Sequence, residues 1–101
     1  MIVYEVRIVV EPAIEAAFRA WLEAHIRESL AIPGFTGAEL LAEDDGGGKP
    51  VWTTRYHLEG RDALERYLRE HAPRLRADGI ARFGDQFQAT RRVSELVREF
   101  R

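Results

Sequence analysis

The chain has 101 residues, 46% of them apolar, with no cysteine and a formal net charge of −2. That length suits one domain, 1–101, with a single core, and the apolar content excludes disorder as the default state. Without cysteine there is no disulfide framework, thiol nucleophile or thiolate metal site, and the slight acidity excludes bulk attraction to nucleic acid.

The charge is uneven along the chain. Residues 1–60 hold five Lys/Arg against ten Asp/Glu, and residues 61–101 hold ten against seven. In the basic half the arginines alternate with acids along helices, which is the pattern of a solvated surface. Glu5 and Arg7 interrupt the apolar start, and no signal-peptide core or membrane-length apolar run follows. A cytoplasmic protein with no membrane partner is expected.

Ile2 to Val10 reads as a strand. Period two puts Tyr4, Val6, Ile8 and Val10 on one face and Val3, Glu5, Arg7 and Val9 on the other. Glu11-Pro12 opens a helix that runs to about Leu30, because proline and an acid both suit a first helical turn. Ile14, Ala17, Phe18, Trp21 and Leu22 form its apolar stripe, with His25 at the centre. Glu15, Arg19, Glu23 and Arg27 form the solvent stripe. Ile26 and Leu30 fall on the polar side, which implies a register change or a patch left for a partner.

Pro33-Gly34 stops the helix. Phe35 to Glu43 is the second strand, and Glu43 to Pro50 reads as a mobile hairpin loop. Its Gly46-Gly47-Gly48 run is a turn signal, since it lacks the ending and the helix of a phosphate loop. Val51 to Leu58 is the third strand, with Trp52, Thr54, Tyr56 and Leu58 on one face and Val51, Thr53, Arg55 and His57 on the other. Arg61 to about Arg69 is helical, with Leu64, Tyr67, Leu68 and His71 at helical spacing. Pro73 demands a kink or a fresh helix start. Phe83-Gly84-Asp85 is a turn, and Gln86 to about Val93 is the last strand.

The order strand, helix, strand, strand, helix, strand gives an α+β, ferredoxin-like βαββαβ domain. Right-handed crossovers produce a four-stranded antiparallel sheet, order 4-1-3-2, with the helices on one face. The other face is left open and carries Glu5, Arg7, Arg55 and His57 among Val3, Val9, Val51 and Leu41. A second copy packed on that face would make a homodimeric α/β barrel.

The chain resembles the uncharacterised domain-of-unknown-function family 4286 of the dimeric α/β-barrel superfamily. The residues that carry the likeness are Met1 to Val6, Trp21-Leu22 with His25-Ile26, Leu30 to Phe35, Tyr67-Leu68, and the run His71 to Gly79. Phe83 and Arg91-Arg92-Val93 complete it. The resemblance implies the fold and a homodimer but brings no activity. Better-known superfamily members include cofactor-free monooxygenases of aromatic compounds.

The catalytic candidates are His25, His57 and His71. His25 has Glu28 one turn away to orient it as a base, or is held structurally by the helix end. His71 is placed to bond a carbonyl freed by Pro73, beside an ion network of Arg74, Arg76 and Asp78. On the open face Glu5, Arg7, Arg55 and His57 are the ligand-binding candidates for a small organic anion or phenol, with arginine as the anchor. The bland alternative makes them cross-strand ion pairs at a dimer interface. No metal spacing links the histidines, no nucleic-acid motif occurs, and no cofactor is expected. The leading reading is a small-molecule-binding protein, with a cofactor-free enzyme as its stronger form and monooxygenase-like activity on an aromatic substrate as its narrowest form. A non-catalytic dimeric interaction or structural module is the alternative.

Overall fold

The computed structural model describes residues 1–43 and 47–101. Strand β1 runs over Ile2–Val10, as its alternation demands, and pairs on both edges. Towards β3 (Val51–Leu58), Tyr4 faces Tyr56, Val6 faces Thr54 and Ile8 faces Trp52. Towards β4 (Phe87–Glu95), Val6 faces Arg91 and Ile8 faces Ala89. Strand β2 (Phe35–Glu43) pairs with the far edge of β3, and a bulge shifts its register between Phe35 and Gly37. All pairings are antiparallel and the order is β2-β3-β1-β4, the ferredoxin-like arrangement expected from the element order. Asp44, Asp45 and Gly46, the tip of the expected hairpin loop, lie outside the described residues.

Pro12–Ile14 forms a single 3-10 turn before α1 (Glu15–Leu30), so the α-helix begins later than Glu11-Pro12 suggested. Its buried line is Phe18, Leu22 and Ser29, spaced to share one side. Ile26 does not lie on the polar side: it packs against the core, which is wide enough to reach it, while Leu30 stays exposed. Beyond α2 (Arg61–Glu70), Pro73 opens α3 (Ala72–Phe83) as a new helix rather than kinking an old one. No helix among the described residues is long and apolar enough to cross a membrane.

The core divides into two clusters. One gathers Ile2, Tyr4, Tyr56, Leu58, Leu64, Tyr67 and Leu75, and the other Ile8, Val10, Phe18, Leu22 and Trp52. Half-buried Val6 and Ile26 touch both. Phe18 is fully buried and meets the rings of Trp21, Trp52, Phe83 and Phe87 at centroid distances of 5.0–6.1 Å. Burying a side chain of that size contributes roughly 1.5–3 kcal/mol.

Candidate functional site

Where the two clusters meet, a cleft of about 570 Å³ opens between helices α1 and α3 and the covered face of the sheet. That volume lies within the range of small-molecule sites, roughly 300–1,000 Å³. Tyr4, Val6 and Ile8 form the middle of its floor, flanked by Thr54 and Tyr56 of β3 and by Phe87, Ala89 and Arg91 of β4. Phe18, Trp21 and His25 line it from α1, and Leu75, Arg76 and Gly79 line it from α3. Gly79 is what lets α3 sit beside the indole: a Cβ there would lie 3.0 Å from Trp21 Cη2 and 3.5 Å from Phe87 Cζ.

Polar groups around the cleft fall into held and unheld sets. Trp21 Nε1 donates to Asp78 Oδ2 at 3.1 Å, tying α1 to α3, and Arg82 approaches the same carboxylate at 3.6 Å. Arg76 Nη2 donates to the Tyr4 hydroxyl at 3.1 Å. Arg74 turns to Glu28 at 3.6 Å. The expected network of Arg74, Arg76 and Asp78 therefore does not form: Arg74 and Asp78 are taken up by residues of α1, while Arg76 turns to β1. Thr54 is 1% exposed, and its hydroxyl has no hydrogen-bond partner among the described residues. A buried hydroxyl left unpaired costs about 1–3 kcal/mol.

Burial pushes the phenols upward: Tyr67 rises to about 12, and Tyr56 is raised further still, each reinforced by neighbouring tyrosines. Both stay neutral donors at neutral pH. His25 stacks on Trp21, with centroids 4.9 Å apart and planes at 21°. Burial lowers its pKa below 6.5, and the carboxylates of Glu28 and Asp78 only partly oppose that. Its imidazole is therefore a neutral base facing an aromatic cleft.

The other named candidates lie elsewhere. Glu5, Arg7, Arg55 and His57 occupy the open face of the sheet, on the side away from the cleft. There Arg92, Glu5, Arg55 and Glu39 stand opposite one another in a row across all four strands. Arg92 reaches Glu5 at 2.8 Å, while Arg55 lies 3.9 Å from Glu5 and 4.0 Å from Glu39. His57 Nε2 contacts both Glu39 oxygens at 2.8 and 2.9 Å, and Arg7 binds Glu43 through two hydrogen bonds of 2.8 and 2.9 Å, which holds that carboxyl below its ordinary value. These charges pair within one chain, before any second copy is present. His71 joins α2 to α3, its N–H on the Tyr67 carbonyl at 2.9 Å. Its ring makes no hydrogen bond among the described residues, so the expected bond to a freed carbonyl is missing. No group of three His, Cys, Asp or Glu side chains able to hold a metal occurs among the described residues.

Sequence reasoning named His25 but missed Thr54, Arg76 and Arg91 as neighbours in one cavity. Period two does put Tyr4, Val6, Thr54 and Tyr56 on the covered face. What it lacks is the register that sets Arg91 and Thr54 on either side of Val6.

Solved structures share this architecture. A dimeric ferredoxin-like protein from an uncultured marine organism is 10% identical, with a TM-score of 0.80 over 98% of this chain and 97% of that one. Rv0793 from Mycobacterium tuberculosis is 25% identical, with a TM-score of 0.67 over 97% and 96%. SnoaB, a cofactor-independent oxygenase from Streptomyces nogalater, is 18% identical, with a TM-score of 0.65 over 98% and 94%. At such identities the likeness speaks for the fold. No curated protein matches the chain. The model of the family described as Domain of unknown function (DUF4286) matches residues 1–97, and the chain belongs to that family.

Proposed function

We propose that the protein binds a planar aromatic small molecule in the helix–sheet cleft, without a cofactor, and works as a homodimer. The observation that carries this reading is the buried, unpartnered Thr54 hydroxyl on the floor of an aromatic-lined cleft of about 570 Å³. A buried polar atom without a partner is destabilising for the empty protein and favourable for a ligand that supplies the partner.

The chemistry open to such a site is proton transfer. Neutral His25 accepts the proton of a bound phenol, and the arginines that line the cleft, Arg76 and Arg91, stabilise the phenolate that remains. The narrower reading, cofactor-free oxygenation of an aromatic substrate by dioxygen, takes support from the likeness to SnoaB. Support for self-association comes from the dimeric relative and from the uncovered sheet face.

Thr54→Val tests the ligand reading. Removing the orphaned hydroxyl while keeping the branched shape stabilises the empty protein by about 1 kcal/mol in urea unfolding. It also weakens binding of naphthol, followed by calorimetry, by about fivefold to tenfold. Unchanged naphthol affinity in a stabilised variant would remove Thr54 from the site, and naphthol that does not bind the wild type would remove the reading itself.

A further inference from the structure

The arginines of this chain are not equally occupied. Arg7, Arg55, Arg61, Arg74, Arg82 and Arg92 each have a carboxylate within 4.0 Å. Arg76 and Arg91 have none among the described residues, yet both line the cleft, one from α3 and one from β4. Arg76 spends a single N–H on the Tyr4 hydroxyl, leaving the rest of its five donors open. Arg76 is anchored on the Tyr4 hydroxyl, and Arg91 stands opposite Val6, the next residue of β1 on the same face, so both belong to neighbouring positions of the cleft floor.

The acids nearby do not neutralise them. Glu28 is taken by Arg74, and Asp78 by Trp21 and Arg82. Asp85 also lines the cleft, beyond the end of α3, but neither arginine lies within 4.0 Å of it. Thr54 stands two strands from Arg91 in the same register row, about 10 Å away. The cavity is therefore polarised, with rings along its length, a buried hydroxyl on its floor and two open forks among its lining, one from α3 and one from β4.

We infer that the ligand of this cleft is an aromatic carboxylate, whose ring lies over Val6 beside Trp21 and whose carboxylate is held between Arg76 and Arg91. Arginine suits this task because its parallel N–H groups match the two oxygens of a carboxylate. The inference rests on the proposed aromatic site and adds the charge of what fills it.

The test compares naphthoate with naphthamide, its neutral counterpart of the same shape, by calorimetry on the full chain at neutral pH. Naphthoate is expected to bind about tenfold or more tighter than naphthamide. Arg91→Gln, on an exposed strand position, and Arg76→Gln each cut that preference to about threefold or less, because the loss falls more heavily on the charged naphthoate than on the neutral naphthamide. Arg66→Gln, which removes another arginine without a carboxylate partner but outside the cleft, leaves the preference intact. Thermal melts by circular dichroism confirm that the variants are folded. Equal affinity for the two probes in the wild type overturns the carboxylate assignment and leaves the aromatic cleft standing. A preference that survives Arg91→Gln in folded protein overturns the role of the arginines. Failure of both probes to bind overturns the cleft reading as well.

Discussion

At the scale of single residues, His25 carries a consequence for stability. Its pKa in the folded chain lies below the ordinary 6.5, burial being the larger cause. Between those two values the unfolded chain binds a proton that the folded chain refuses. Stability is therefore complete above about pH 6.5 and falls as the pH drops through the window towards the folded value. His25→Gln, which cannot titrate, should flatten that decline, and urea unfolding of both proteins at a series of pH values measures it. Parallel curves would mean that His25 titrates alike in both states. The oddity of His25 was legible from the sequence, since a histidine in the middle of an apolar stripe stands out. The unpaired state of Arg76 and Arg91 beside the cleft was not, because an arginine with a carboxylate partner and one without have the same sequence pattern. The difference lies in which carboxylates the fold brings within reach.

At the scale of elements, the turn between α1 and β2 is the most constrained joint. Gly34 adopts φ 96°, and a Cβ there would collide with the Cβ of Ala63, against the start of α2. Its carbonyl accepts the Glu59 N–H at 2.9 Å, so the turn cannot move off without losing a bond to the end of β3. Gly34→Ala should cost about 2 kcal/mol or more, combining left-handed backbone with overpacking. Gly60→Ala, where the added carbon meets nothing within 4 Å, is the control. Equal unfolding free energies for the two variants would show that the joint yields. The sequence made this joint visible through Pro33-Gly34, and it made every strand and the break at Pro73 visible through period and proline. Ile26 was misplaced because a helix lying across a wide sheet buries a broader arc than its first two turns suggest. The cleft was invisible because it arises where two clusters fail to merge, and no single element encodes that gap.

At the scale of the whole molecule, the described chain measures 37 × 33 × 18 Å, the proportions of one sheet under one layer of helices. One broad face has no cover from its own chain, and Val97 and Phe100 beyond β4 are 89% and 83% exposed. A homodimer is expected, and native mass spectrometry at micromolar concentration should give twice the mass of the chain. A monomer under those conditions would mean that the open face meets only water. The open-face row Arg92, Glu5, Arg55, Glu39 bears on how such a pair would sit. Read from β4 to β2 its signs run plus, minus, plus, minus, and the reversed row has the opposite sign at every place. Two such rows superposed by a two-fold axis parallel to the strands set each cation over an anion. An axis running across the strands sets like over like. The pattern is thus antisymmetric under reversal, and by charge alone it favours one of the two symmetric ways of laying the sheets together.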